Sequence, residues 1–322
     1  MRIFICVLFL LAGSVSADPA FWRYEWPNTD FEKTSLSNWR EVRSGGPGKD
    51  GIPAIRDPEF QPVQDDDVLA PREGVIVVDL GSAPARAYPL RYLMWHEIVN
   101  DTVGGVPIAV TYCPLCNSAL VFDRRVAGDR LLFGVTGKLR HSDMIMYDHQ
   151  SESWWQQAIG EAIVGDMVGT KLVQHPSRLV GWSQFVADHP NGLVMRTPKF
   201  NRRYGQNPYV GYDLAEYPFL YQGENPPHGI SPLERVIRIG THAWPMTVIK
   251  DLGEVSYNGM KISWVSGQAS ALDTARLADG SDIGSVRVQA KNGSDVAHDV
   301  MFAFAFHAFW PDGIWHLANG AQ

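Results

Sequence analysis

The chain predicts an α+β fold, rich in β structure, with one body and an irregular N-terminal arm. Short β-branched runs such as Val75-Ile76-Val77-Val78 outnumber stretches of helical period. The 30 glycines and 21 prolines punctuate those runs at turn-like spacing. Hydrophobic residues make up 45% of the 322, enough for a large core.

Residues 1–17 read as a signal peptide: Arg2 precedes an apolar run from Ile3 to Ala12, and Val15-Ser16-Ala17 forms a small-residue cleavage site. The run is too short to span a bilayer, so no transmembrane segment is expected once it is removed. The expected mature chain starts at Asp18 and is exported, periplasmic or secreted, into a compartment that permits disulfides. Cys6 would leave with the signal. Residues 18–72, with Gly45-Gly46-Pro47-Gly48-Lys49-Asp50-Gly51, predict an irregular arm wrapped over the body.

The body, residues 73–322, opens with a strand over 74–80. Leu90, Leu93, Met94 and Ile98 then place a helix between Pro89 and Val99. The run VPIAVTY is a strand that leads into the only two cysteines beyond the signal, in Cys113-Pro114-Leu115-Cys116. A hairpin is expected next, LVFDRRV against RLLFGV around Ala127-Gly128-Asp129. A second helix is expected from Ser177 to Ala187, ended by His189-Pro190, and a closing apolar strand from Asp299 to Phe309.

A faint repeat relates residues 73–135 to residues 232–317. Ala87-Tyr88-Pro89-Leu90 matches Ala243-Trp244-Pro245-Met246, and Ser118-Ala119-Leu120 matches Ser270-Ala271-Leu272. The implied architecture is two related β units with a helical or loop segment inserted between them. Where the first copy has its cysteines, the second has Ser266-Gly267-Gln268-Ala269 and no thiol.

A formal charge of −7, with no Lys/Arg cluster, argues against nucleic acid and anionic membrane as partners. The expected partner is a metal ion or an unidentified small molecule. Phosphate loops, dinucleotide fingerprints, EF-hand loops and His-Glu-x-x-His are all missing from the sequence.

Two thiols two residues apart can bind metal, form a disulfide or exchange thiols. Thiol exchange is disfavoured, because the residues after Cys116 alternate like a hairpin and give no helix to activate the first thiol. A metal site could draw on Cys113 and Cys116, His141 or His96, and the thioether of Met144, a soft set that puts copper ahead of zinc. Alternatively, Cys113 and Cys116 are a structural disulfide and the protein binds a small molecule or glycan. Trp154, Trp155 and Tyr209 would then line the groove. A third reading is a metal-free hydrolase drawing on Asp143, His141, Glu97 and Lys138. Whether the protein is an enzyme stays open at this stage.

The segments AYPLRYLMWHEIVND, TYCPLCNSALVFDR, GKLRHSDMIMYD and SWWQQAIGEAIVG occur in this order. With GGPGKDGIPAI before them and YGQNPYVGYD after, the chain closely resembles the bacterial family catalogued as domain of unknown function 3179. His149 stands where relatives tend to carry arginine. The resemblance implies an exported bacterial protein and supplies no particular activity.

Overall fold

Strand Gly74–Val78 sits between two cores: Val75 and Val77 face one apolar cluster, Ile76 and Val78 another. A strand buried on both faces loses the polar alternation of a surface strand, which is why its sequence is a plain β-branched run. The computed structural model describes residues 19–317, so the expected signal peptide lies outside the described residues. Strands make up 36% and helices 15%, with five small sheets in a β-propeller arrangement.

One sheet orders Val42–Ser44, Phe133–Arg140, Asp143–Asp148, Trp154–Gln156 and Glu161–Val164. A second is built on the meander Ile98–Val103, Val106–Cys113 and Ser118–Asp123. In a third, Gly74–Val78 pairs antiparallel with Arg178–Gly181 and with Arg86–Pro89, which in turn runs parallel to Leu193–Met195. A fourth sheet repeats that order and sense. Arg235–Ile239 is antiparallel to Asp299–Phe302 and to His242–Pro245, and the last is parallel to Ile314–Trp315. The fifth is the meander Glu254–Tyr257, Met260–Val265 and Ser285–Gln289.

Four seven-residue helices join these strands: α1 (Leu90–His96), α2 (Trp182–Asp188), α3 (Met246–Leu252) and α4 (Ala303–Phe309). The arm is tied into the body. Val42–Ser44 pairs with Phe133–Arg140, Ile55–Arg56 with Ile98–Val103, and Phe60–Pro62 with Leu193–Met195. Trp26 and Phe31 pack on Trp154, each with ring centroids 5.3 Å apart.

Four sequence expectations change. The second expected helix, Ser177 to Ala187, is realised as Trp182–Asp188, because Arg178–Gly181 is claimed by the strand Gly74–Val78. The closing strand stops at Phe302 and α4 follows. The Phe-Ala alternation there misleads because Ala303, Phe304, Ala305 and Phe306 are all fully buried, so period carries no information about facing. Strand Ser118–Asp123 pairs with Val106–Cys113, and the expected later hairpin shrinks to Arg125–Val126 against Asp129–Arg130. Arg124 breaks it by turning inward, donating to the carbonyls of Ile108, Leu131 and Asp101. The Ser270-Ala271-Leu272 that the sequence matches to Ser118-Ala119-Leu120 lies outside any strand.

Candidate metal centre

The two cysteines occupy the tip of a hairpin. Cys113 ends one strand and pairs with Ser118, which opens the next, leaving Pro114, Leu115, Cys116 and Asn117 as the loop. The chain reverses there through Asn117, whose φ of 51° is left-handed, a conformation asparagine tolerates better than most residues. The loop closes by Cys116 N–H donating to the Cys113 carbonyl at 3.3 Å and Asn117 N–H to that of Pro114 at 3.2 Å.

A second hairpin tip meets the first. Arg140 pairs with Asp143 across a two-residue turn, His141-Ser142, whose φ values are 50° and 64°. A turn with both central residues left-handed normally takes Asn-Gly, so His-Ser there is strained. The turn carries Ser142, whose carbonyl lies 3.9 Å from Cys113 Sγ and whose hydroxyl bonds the Phe219 carbonyl. It delivers Asp143 directly to the thiols. One ligand atom from each of Cys113, Cys116 and Asp143 lies within 4.8 Å of the others, and all three residues are buried.

Two buried carboxyls, Asp143 and Glu97, lie at this group. Burial raises the Cys113 thiol and, more strongly, the Cys116 thiol. Burial also pushes Asp143 up to about 7, against hydrogen bonds from Ala158 N–H at 2.9 Å and Gln156 Nε2 at 2.6 Å. Glu97, the C-cap of α1 with φ 58°, is pushed up to about 8 by burial and then by the Asp143 charge. Three buried acceptors here have no hydrogen-bond partner: Asp143 Oδ1, Gln156 Oε1 and Gln157 Oε1. Desolvated acids with orphaned acceptors beside two thiols match the donor chemistry of a divalent cation.

A family model described as a protein of unknown function (DUF3179) matches residues 49–313. The chain belongs to that family. No curated protein and no solved structure matches it.

In this DUF3179 chain the other expected ligands are engaged elsewhere. His96 Nδ1 is 2.7 Å from the Pro53 carbonyl and its Nε2 is 2.6 Å from the Tyr204 hydroxyl, so neither ring nitrogen faces the thiols. His141 shares the strained tip, but its Nε2 lies 3.6 Å from the Glu41 carboxylate and its ring packs against Phe309. Burial pushes it down to about 4. Asp143 and His141 therefore do not form the pair a hydrolase would use, and Lys138 Nζ is paired with Glu25 at 3.4 Å.

The expected aromatic groove is absent at its tryptophans. Trp154 and Trp155 are 0% exposed, and Trp155 Nε1 donates to Asp148 at 2.9 Å. The two residues after them lie beside the centre, Gln156 donating to Asp143 and Gln157 to Thr111, which sequence reasoning missed. The available signal was two amides directly after two tryptophans at the end of a strand. Among the described residues no helix is long and apolar enough to cross a membrane.

Proposed function

We propose that this protein holds a divalent metal ion between Cys113, Cys116 and Asp143, with zinc ahead of copper. The observation that carries the reading is the buried two-thiol, one-carboxylate group within 4.8 Å. A carboxylate is a harder donor than the imidazole and thioether expected from sequence, and two thiolates with one carboxylate suit zinc. Three protein donors leave a fourth position open, the arrangement of a reactive centre more than of a closed structural site. Dialysis of purified protein against Zn(II), followed by elemental analysis, tests this. About one ion per chain is expected, lost in Cys113→Ser; a metal-free wild type with a Cys113–Cys116 disulfide overturns it.

The matching order and sense of the third and fourth sheets support reading the body as two related β units. In the second unit the counterpart of the cysteine turn joins Val265 to Ser285 and contains no thiol, so the scaffold does not need one. That supports a chemical role for the pair. Export, with removal of residues 1–17, belongs to the same reading. It predicts a mature mass starting at Asp18 when the full chain is expressed in a Gram-negative host, and an intact Met1 contradicts it.

A further inference from the structure

A cavity of about 100 Å³ lies beside the thiol–carboxylate group, with Glu97, Leu115, Lys138, Met144, Tyr209 and Phe219 in its wall. None of Cys113, Cys116 and Asp143 lines it, but the Asp143 charge acts on Glu97 and the Cys113 charge on Tyr209, so its wall lies within electrostatic reach of the proposed ligands. A water needs roughly 10–15 Å³ on this measure, so the space is several waters large and admits a small organic molecule.

Glu97 is the exceptional wall residue. It is only 7% exposed, its carboxyl makes no hydrogen bond among the described residues, and its backbone is held at φ 58°. Buried carboxyls ordinarily find partners, and non-glycine residues at such φ cluster at functional sites. The Lys138 ammonium is matched by Glu25, and most of the remaining wall is hydrocarbon. Tyr209 also makes no side-chain hydrogen bond.

We propose that this cavity binds a small, uncharged, largely apolar alcohol, anchored by a hydrogen bond to the Glu97 carboxyl. Its nearness to the thiol–carboxylate group assigns it to the metal centre as a substrate pocket, and that link rests on the metal reading above. A hydroxyl both donates and accepts, so it can satisfy the carboxyl while the alkyl chain lies against Leu115, Met144 and Phe219. The wall offers an ionic ligand no free counter-charge.

The test uses protein labelled with ¹³C-methyl methionine, the Met144 signal being assigned through Met144→Leu. 1-Butanol, with five heavy atoms, is the probe, and butyrate is the charged control. A saturable shift of the Met144 methyl with butanol and none with butyrate is expected. Glu97→Ala should weaken butanol binding roughly five- to tenfold, as loss of one hydrogen bond does. Glu97→Gln, whose amide still donates and accepts, should stay within about twofold of wild type and guards against misfolding in the alanine variant. No saturable shift, or equal binding by Glu97→Ala, overturns the proposal. Zinc content is measured on the same samples. One zinc with no butanol site sinks only the pocket; butanol binding without metal uptake sinks the metal reading and leaves the pocket.

Discussion

Gln156 Nε2 donates to Asp143 Oδ2 at 2.6 Å, while the other oxygen of the same carboxylate, Oδ1, is buried and has no partner. With Ala158 N–H also on Oδ2, one side of Asp143 is fixed by backbone and amide, and the other faces only the two thiols that a cation would deprotonate. Supporting groups that orient a ligand typically account for 10–100-fold in metal affinity. Gln156→Ala should therefore weaken zinc binding by roughly 10–100-fold and Asp143→Asn by more than about 100-fold. Competition against a chromophoric chelator measures both.

Metal uptake should release protons. Burial raises both thiols, and Asp143 titrates at about 7. Near neutral pH the metal-free centre holds most of these protons, and a cation must displace roughly two to three of them. Calorimetry in buffers of different ionisation enthalpy should show that release, and affinity should rise with pH from 6 to 8.

Stability of the metal-free protein should depend on pH in the opposite sense to ordinary carboxylates. In the folded state burial holds Asp143 up to about 7 and Glu97 up to about 8, above their ordinary values of 3.8 and 4.5. The native state then binds more protons than the unfolded state between these limits, so stability falls as pH rises from about 4 to 8. The loss should reach on the order of a few kcal/mol. Denaturant melts across this range should show the slope in metal-free wild type, reduced in Asp143→Asn and offset by zinc.

The histidines and tryptophans should behave as structural residues. His141→Ala is expected to keep one zinc per chain, because its ring faces Glu41 and Phe309. Trp154→Ala should cost about 3–5 kcal/mol by opening a cavity among Trp26, Phe31 and Trp22. Elemental analysis and denaturant titration check the two.

What the sequence disclosed follows from how far each signal reaches. The β-branched run at Val75 and the strand VPIAVTY were legible because burial on both faces leaves a local compositional mark. The placement of the cysteines on a turn was legible too. Their partner was not. Asp143 reaches them only because two separate hairpin tips meet, and nothing in Arg140-His141-Ser142-Asp143 announces that contact. His96 was misread for the same reason: its two partners, Pro53 and Tyr204, are 43 and 108 residues away. The tryptophan pair looked like a surface because its neighbours are polar, yet the arm covers it with Trp22, Trp26 and Phe31.

Zinc K-edge X-ray absorption on the zinc-loaded protein tests the centre most directly. Two sulfur scatterers near ~2.3 Å with oxygen near ~2.0–2.2 Å are expected, with the sulfur shell halved in Cys116→Ser. A first shell of nitrogen and oxygen alone, or a protein that takes up no zinc while its cysteines are reduced, would contradict it.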